Sequence, residues 1–416
     1  MLTKIGLTNF KCYRGSHEFP LSQFNLLTGI NGRGKSTLLQ SLLLMKQTTD
    51  HDKNANYLVL NGSCVQLGAF EDIKNSFASH TEGVKLSFKI IDFVKQVVEL
   101  DFDSGSFTET EEDTTIVYEL QPDVKDNLIA TITSCHVIYE GSVSEENQQS
   151  HIYSEPLFVN LIPSENEIGF AQLSQKNTTF FKIQFISADR IGPKNYYEIQ
   201  NINRDFSWVG AKGENTASIL LKKKDDKVQE DLYLGEDTNT LLQQTEEWLN
   251  FVFDGAKITI NTEGGVVLIS YNTKQGRERY KPANVGFGYS YILPIVVAGL
   301  IAEKGEILII ENPEAHLHPR AQHKLTQFLA KIAATGVQIF VESHSEHILN
   351  ALRICILEQE QQAKILNNTD VSILYFQNND EQPFVSIPLD EKGNIEEWPE
   401  GFFDQTDKDF KILFGF

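Results

Sequence analysis

One segment near the N-terminus constrains the fold of this chain more than any other. Residues 29–37 read Gly-Ile-Asn-Gly-Arg-Gly-Lys-Ser-Thr and match the phosphate-binding loop pattern G-x-x-x-x-G-K-[ST]. In this pattern the glycines let backbone N–H groups surround phosphate oxygens, the lysine reaches the β- and γ-phosphates, and the hydroxyl holds Mg2+. We therefore expect ATP and Mg2+ as ligands, bound by Asn31, Gly32, Gly34, Lys35, Ser36 and Thr37.

The two flanks of the loop have the context that the motif requires. Residues 24–28 form a short apolar run that predicts a strand entering the loop, and residues 37–44 have the pattern of a helix leaving it. A strand, a phosphate-binding loop and a helix in this order predict an α/β fold.

A second pair of strands is predicted far along the chain. Residues 306–310 and 337–341 are short apolar runs, separated by a helical pattern over 321–334. The first run is followed by Glu311 and Glu314, and the second by His344. Apolar runs of this kind are typical of buried parallel strands, whose carboxyl ends collect ligands in open α/β sheets. We therefore expect these side chains to serve the same site.

Together these segments resemble the ATPase head shared by SMC, RecF and OLD-type proteins of the ABC class. The resemblance rests on residues 5–11, 29–37, 307–322 and 341–347, and it covers about half of the chain. It implies a P-loop ABC-type ATPase head with a mixed central sheet. The segments 284–290 and 398–404 also resemble a bacterial group of stand-alone ATPases, several of which sit in anti-phage defence operons, including the Septu ATPase PtuA.

The resemblance assigns roles to single residues, with two departures from the family pattern: the acid strand, described next, and the signature segment, which lacks the usual Ser-Gly-Gly. Lys35 and Ser36 match the phosphate loop, and His344 matches the histidine that senses the γ-phosphate. The family's acid strand ends in Asp-Glu, where the Asp arranges Mg2+ and the Glu polarises the attacking water. Here those places hold Glu311 and Asn312, and an amide cannot accept a proton. Either Glu314 acts as the base while Glu311 arranges Mg2+, or hydrolysis is slow and ATP acts mainly as a switch.

Two further elements of the family site are carried over from shorter matches. Gly286 and Gly288 precede a helical pattern over 289–302, and the resemblance makes them the signature segment that closes over the partner subunit's ATP. A glycine turn that only opens a core helix is the alternative. The glutamine that approaches Mg2+ is Gln66 or Gln47, and we favour Gln66.

Three other residues have both a structural and a functional interpretation. His316 and His318 lie two positions apart, but two spaced ligands are a weak metal signal, and a helix-entry loop explains them better. The resemblance places His318 where ABC proteins make a contact across the dimer. Arg190 follows a predicted strand, so it contacts phosphate or a neighbouring subunit, or it forms a structural ion pair.

Charge and cysteine content limit the function classes. The chain has 36 Lys and Arg against 57 Asp and Glu, a net charge of −21, which argues against a surface that binds nucleic acid all over. The candidates for a local basic strip are Lys222–Lys224 and Arg277, Arg279 and Lys281, and a solvated charged face is the alternative for each of them. The four cysteines have no spacing typical of zinc or of a disulfide framework.

The remaining chain is expected to add two lobes to the ATPase head. Residues 1–80 and 255–416 are predicted to form the head, and alternation over 81–185 predicts an antiparallel β lobe. Residues 186–254 are predicted to form a short helical insertion without a sustained heptad repeat. No apolar run approaches the roughly twenty residues that span a bilayer, and no export signal is evident, so a cytoplasmic protein without membrane contact is expected.

The predicted function is ATP binding and slow hydrolysis coupled to formation of a homodimer or higher homo-oligomer. The 72 residues after His344 hold no constellation for a Toprim nuclease domain, and no second catalytic motif is present. We therefore expect a separately encoded effector, such as a nuclease, in anti-phage defence. The alternatives are a RecF-like repair ATPase that binds nucleic acid directly and a nucleotide-gated scaffold that never turns over.

Overall fold

The computed structural model describes most of the chain. The described residues are 1–79, 81–100, 107–140, 149–153, 158–159, 161–163, 180, 182–202, 206–235, 239–272, 279–357 and 363–415. The chain divides into two compact units, of which the first contains residues 1–22 and 34–182 and the second contains residues 23–33 and 183–416. We refer to them as the N-terminal unit and the C-terminal unit.

The strands in chain order are β1 (Leu2–Thr8), β2 (Ser16–Pro20), β3 (Phe24–Gly29), β4 (Tyr57–Val59), β5 (Val84–Leu100), β6 (Phe107–Pro122), β7 (Ile129–Glu140), β8 (Gln149–Tyr153), β9 (Phe158–Val159), β10 (Ile162–Pro163), β11 (Ile183–Ile186), β12 (Tyr197–Glu198), β13 (Lys257–Glu263), β14 (Val266–Asn272), β15 (Ile307–Glu311), β16 (Gln338–Glu342), β17 (Val371–Phe376) and β18 (Phe384–Ser386). The helices are α1 (Lys35–His51), α2 (Phe70–Ile73), α3 (Thr216–Lys223), α4 (Leu241–Phe253), α5 (Phe287–Ile301), α6 (Pro319–Ala334), α7 (Glu346–Ile356) and α8 (Gln405–Phe414).

The N-terminal unit is built on an antiparallel sheet with the strand order β2-β1-β5-β6-β7-β4, and β8 also pairs with β7. Alternate residues are buried over 84–90 of β5 and 114–120 of β6, among them Leu86, Phe88 and Tyr118, as expected for strands with one face on a core. The rings of Phe88 and Tyr118 pack edge to face, with their centroids 6.1 Å apart. The antiparallel sheet predicted from sequence alternation is therefore present.

The C-terminal unit contains a mixed sheet in the order β11-β15-β16-β3-β17-β18. The first five strands run parallel, and β18 is antiparallel to β17. All four apolar residues at the start of β15 and all residues of β16 are buried, which agrees with a strand covered on both faces. The mixed central sheet and both predicted apolar strands are confirmed.

Helices α3 to α7 of this unit share one apolar core with the sheet. Trp248 of α4 and Phe328 of α6 are buried with ring centroids 4.8 Å apart, and each such side chain contributes roughly 1.5–3 kcal/mol through burial. Gly299 of α5 lies against Phe328, where an added Cβ would approach the ring to 2.8 Å. The predicted helical insertion, residues 186–254, contains α3 and α4, whose buried residues belong to this core. The predicted division into a head and two lobes stays a prediction.

The N-terminus of α6 differs from the one that the sequence pattern predicts. Helix α6 begins at Pro319, two residues before the predicted start, because His318 caps it and proline is favoured in a first turn. Helix α7 ends at Ile356, and residues 358–362 lie outside the described residues. Within the described part of the chain, no helix has both the length and the apolar content needed to cross a bilayer.

The segment after β18 packs on α7 through one arginine. Arg353 donates from Nε to the carbonyl of Gly393 at 2.7 Å, and its guanidinium lies 5.6 Å from the ring centroid of Trp398. Trp398 contacts Phe402, which is fully buried. Residues 398–404, which carry part of the resemblance, thus anchor the end of the chain.

Candidate nucleotide site

The phosphate-binding loop leaves the sheet at the end of β3. At Gly29 φ is 121°, and an added Cβ would fall on the backbone oxygen and nitrogen of Phe376 in β17. The next amide, of Ile30, donates to the carbonyl of Phe376 at 2.9 Å. Glycine is therefore required here by conformation and by space. Asn31 and Gly32 follow and are exposed.

Helix α1 of the N-terminal unit begins in the second half of the motif. Its N-cap, Gly34, has φ 104°, and an added Cβ would fall on the hydroxyl of Tyr13, which is 1 % exposed. Lys35 is buried, Ser36 is half-buried and Thr37 is buried. The first-turn N–H groups of a helix favour an anion, so the helix start fits the phosphate role that the motif predicts.

Acidic and polar residues meet at the carboxyl edge of the C-terminal sheet. Glu311 pairs with Glu342 across β15 and β16, and Glu342 pairs with Leu27 of β3. Because these strands are parallel neighbours, Glu311, Ser343 and the start of the phosphate loop lie along the same edge. The sequence predicts that the polar residues after these strands lie at one edge of the sheet, and the strand pairing within this unit agrees.

Glu311 is half-buried at this edge. Its Oε2 accepts a hydrogen bond of 3.0 Å from the amide of Ala188, just after β11. Burial raises the pKa of Glu311, while the Ala188 amide and the charge of Arg190 act in the opposite direction. Carboxylate oxygens are among the ligands that Mg2+ prefers, so Glu311 has the chemistry of the Mg2+ ligand that the sequence predicts.

Asn312 turns the chain out of the sheet. Its φ of 43° lies in the left-handed region, which asparagine tolerates better than most residues. Its amide donates to the carbonyl of Glu342 at 2.8 Å, and its carbonyl accepts from the amide of Ala315 at 3.2 Å. The backbone of Asn312 therefore shapes the turn that carries Glu314.

The side chain of Glu314 is held by the backbone just after β16. Its Oε1 accepts a hydrogen bond of 2.9 Å from the amide of His344. Its Oε2 is buried and has no hydrogen-bond partner among the described residues. The structure thus brings together two residues, Glu314 and His344, that were predicted as catalytic from separate motifs.

Arg190 also belongs to this edge, in a way that sequence reasoning missed. Its side chain is buried and donates to the carbonyl oxygens of Ser187, Glu311 and Asn312. Two of these acceptors, the carbonyl oxygens of Glu311 and Asn312, lie more than 120 positions away in the sequence. No local sequence pattern therefore predicts these hydrogen bonds. The only available signal was an arginine directly after a predicted strand.

The two proposed signature glycines differ in their surroundings. Gly286 is exposed and caps α5, and an added Cβ would meet nothing within 4 Å. Gly288 is buried, and an added Cβ would lie 3.1 Å from Leu317 Cδ2 and 3.2 Å from the carbonyl oxygen of His316. Gly288 is thus needed for the close approach of α5 to the loop after β15, whereas no packing reason explains Gly286.

The two candidate glutamines lie on either side of β4. Gln47 is buried, donates to the carbonyl of Val59 and accepts from the amide of Val65. Gln66 is exposed and donates to the carbonyl of Gly62 at 2.7 Å. Both the nitrogen and the oxygen of the Gln47 side-chain amide therefore make hydrogen bonds within the fold. The Mg2+ role of Gln66 stays a prediction.

The two histidines after β15 have separate structural tasks. His318 is exposed and accepts from the amide of Arg320 through Nδ1 at 3.3 Å, as the cap of α6. His316 has φ 62° and packs edge-on against Tyr291 at 4.6 Å. No group of three or more His, Cys, Asp or Glu suited to a metal occurs in the described ranges.

Two of the basic residues singled out in the sequence have local partners. Lys222 donates to the carbonyl of Gln200, and Lys224 lies 3.9 Å from a carboxylate oxygen of Asp225. Arg277 lies outside the described residues.

A phosphate-binding loop between a central parallel strand and a helix, with acids at the end of a nearby strand, defines a P-loop ATPase. Residues 1–349 match the family model described as AAA ATPase domain. The chain belongs to this AAA ATPase domain family and is an ATPase. Residues 366–413 match a second model, DUF3696, described as a protein of unknown function. No curated protein sequence matches the chain.

Several solved structures are similar to the chain. An SMC head bound to the C-winged helix domain of ScpA is 13% identical, covers 94% of this chain and 98% of that chain, and has a TM-score of 0.49. The SMC head domain from Thermotoga maritima is 10% identical, with coverage of 94% and 99% and a TM-score of 0.42. An Smc head from Pyrococcus furiosus, with an extended coiled coil and bound to the C-terminal domain of ScpA, is 11% identical, with coverage of 100% and 98% and a TM-score of 0.48.

Proposed function

We propose that this ATPase binds ATP with Mg2+ through residues 31–37 and hydrolyses it slowly, with Glu314 as the general base. The observation that carries the proposal is the hydrogen bond of 2.9 Å from the His344 amide to Oε1 of Glu314. It orients the carboxyl group and leaves Oε2 without a partner among the described residues. Asn312, at the place of the family's usual glutamate, cannot take this role because an amide accepts no proton.

The other site residues have roles that follow from their chemistry. Lys35 is the motif's cation for the β- and γ-phosphates, and the N–H groups at the start of α1 add a second positive contribution. Ser36, Gln66 and Glu311 supply oxygen ligands, and Mg2+ when bound neutralises phosphate charge. The His344 side chain senses the γ-phosphate, while its backbone holds Glu314.

We propose further that nucleotide binding closes a homodimer. Gly286 caps α5 and His318 caps α6, and both residues are exposed. An exposed glycine at a helix N-terminus leaves backbone N–H groups accessible to an anion from outside the subunit. This supports contact with the partner subunit's nucleotide, as in the ABC arrangement that the sequence resembles.

The proposed output is control of a separately encoded effector, a nuclease in anti-phage defence. Its support is the resemblance to defence ATPases, together with a net charge of −21, which disfavours broad nucleic-acid binding. The β lobe between Val84 and Ile183 is the proposed docking surface, because the motif residues of ATP hydrolysis lie outside it. ATP would act by favouring one of two states of the dimer.

Phosphate release by the purified chain tests the enzymatic proposal. We expect slow ATP turnover that depends on Mg2+, no cleavage of DNA or RNA, and loss of ATP binding in Lys35→Ala. The exposed Lys53, just beyond α1, provides the matched control Lys53→Ala, which should bind ATP normally. Unchanged ATP affinity in Lys35→Ala would refute the site, and Mg2+-dependent nucleic-acid cleavage by the chain alone would refute the need for a separate effector.

A further inference from the structure

Arg190 is a buried cation attached to the turn that carries the proposed base. Its side chain is 3 % exposed. Nη1 donates to the carbonyl of Glu311 at 2.8 Å, and Nη2 donates to the carbonyl of Asn312 at 2.6 Å. A third bond, from Nη1 to Ser187 at 3.2 Å, ties the guanidinium to its own strand end. The arginine therefore joins the ends of β11 and β15 through backbone atoms.

The guanidinium is also covered by α5. The Tyr291 ring centroid lies 5.2 Å from Cζ of Arg190, and the same ring packs edge-on against His316 at 4.6 Å. A planar cation over an aromatic face is stabilised by the ring quadrupole, more strongly when water is excluded. Burial lowers the pKa of Arg190 to about 10, so the side chain stays charged at neutral pH.

The turn held by Arg190 determines where Glu314 lies. Asn312 has φ 43°, a conformation that most residues avoid and that surrounding contacts must maintain. Its carbonyl accepts from Arg190 and from the amide of Ala315, and its own amide donates to Glu342. Glu314 follows two residues later, with Oε1 on the amide of His344. A shift of this turn would therefore move the carboxyl group away from His344.

We propose that Arg190 is a positioning residue for ATP hydrolysis, which fixes the turn after β15 so that Glu314 keeps its carboxyl group on the His344 amide. This inference rests on the proposed role of Glu314 as the base. Two neighbouring carbonyls are bridged by two nitrogens of one planar group, a geometry that arginine offers and lysine does not. The chemical role is indirect, because both terminal nitrogens of Arg190 donate to backbone carbonyl oxygens.

Arg190→Lys tests the inference in steady-state kinetics. A lysine ammonium retains the charge but cannot span both carbonyls in the guanidinium geometry, so we expect kcat to fall roughly 10- to 100-fold, the range for losing a charged hydrogen bond. KM for ATP should stay unchanged, because residues 31–37 carry the proposed phosphate contacts and the Glu311 carboxyl group keeps its own hydrogen bond from the Ala188 amide. Lys194→Gln, an exposed cation four residues further on, is the matched control and should change neither constant. An unchanged kcat in Arg190→Lys would overturn the inference.

A double-mutant cycle separates this inference from the role of Glu314 itself. Glu314→Gln alone tests the base, and a normal kcat there would remove the proposed mechanism. If Glu314→Gln is slow, adding Arg190→Lys should lower kcat little further, because the residue that Arg190 positions is already inactive. An equal fold-loss in both backgrounds would show that Arg190 acts independently of Glu314, and the inference would then be wrong.

A second variant covers the case in which Arg190→Lys fails to fold or to bind ATP. Tyr291→Leu removes the ring over the guanidinium and leaves every hydrogen bond of Arg190 in place. We expect a smaller fall in kcat, roughly 2- to 5-fold for a lost cation–π contact, with KM unchanged. The exposed Tyr196 gives the control Tyr196→Leu, which should behave as wild type. A normal kcat in Tyr291→Leu would overturn the inference in that case.

Discussion

The backbone amide of His344 donates to Oε1 of Glu314 at 2.9 Å. The loop after β16 therefore orients the acid that follows the neighbouring parallel strand, β15. Each residue was predicted from its own motif, and their contact spans 30 positions of sequence. The proposed γ-phosphate sensor and the proposed base are therefore joined by one hydrogen bond. Any displacement of the His344 backbone on nucleotide binding would reorient Glu314.

Glu314→Gln should separate binding from hydrolysis. The glutamine can still accept from the His344 amide through its Oε1 but cannot take a proton from water. We expect unchanged ATP affinity and a fall in turnover of roughly 100- to 10,000-fold, the usual contribution of a general base. Titration with a fluorescent ATP analogue and a phosphate-release assay measure the two quantities. Normal turnover would assign the base to another residue.

Glu311→Gln should change the pH dependence of stability. Burial raises the pKa of Glu311 above its ordinary value of 4.5, so the folded chain binds more protons there than the unfolded chain, and stability is lost as pH rises through this interval. The variant lacks this loss and should gain Tm relative to wild type as pH rises above about 4.5. Thermal unfolding without nucleotide at several pH values measures this difference, and the exposed Glu391→Gln is the control. A Tm difference independent of pH would contradict the assignment.

The signature glycines should respond differently to alanine. Gly288→Ala places a Cβ against Leu317 and the His316 carbonyl. We therefore expect the free energy of unfolding to fall by roughly 1–3 kcal/mol, as is typical of overpacking, and Tm to fall with it. Gly286→Ala meets no neighbour and has no positive φ, so its Tm should equal that of wild type. If Gly286 contacts the partner subunit's nucleotide, ATP-dependent dimerisation, followed by light scattering, should still weaken. Normal dimerisation in Gly286→Ala would reduce this segment to a helix start.

Gly34→Ala and Gly32→Ala test the phosphate loop itself. Both positions have positive φ, which costs an alanine roughly 1–2 kcal/mol. At Gly32 nothing lies within 4 Å of an added Cβ, whereas at Gly34 it would fall on the Tyr13 hydroxyl. We therefore expect a clearly larger loss of Tm in Gly34→Ala, measured by thermal unfolding. Equal losses would mean that Tyr13 does not constrain the loop.

Local sequence patterns predicted the elements of the fold better than the contacts of the site. The strands at 307–311 and 338–342 follow from continuous apolar runs, and α1 follows from the motif that precedes it. The bond from Ala188 to Glu311 joins residues 123 positions apart, and the bond from Arg190 to Asn312 joins residues 122 apart. Such contacts depend on strand order, which periodicity does not encode.

The left-handed turn at Asn312 has a consequence for anyone who wishes to accelerate this enzyme. The obvious design, Asn312→Glu, would restore the family's usual second acid, but it would place a longer side chain on a backbone that favours asparagine, aspartate and glycine. Position 312 thus holds a residue that suits this backbone conformation, and the proposed base stands two residues later, at position 314. A faster variant should be sought by reshaping the surroundings of Glu314, and homologues with the same asparagine should be recognised by the acid two residues after it.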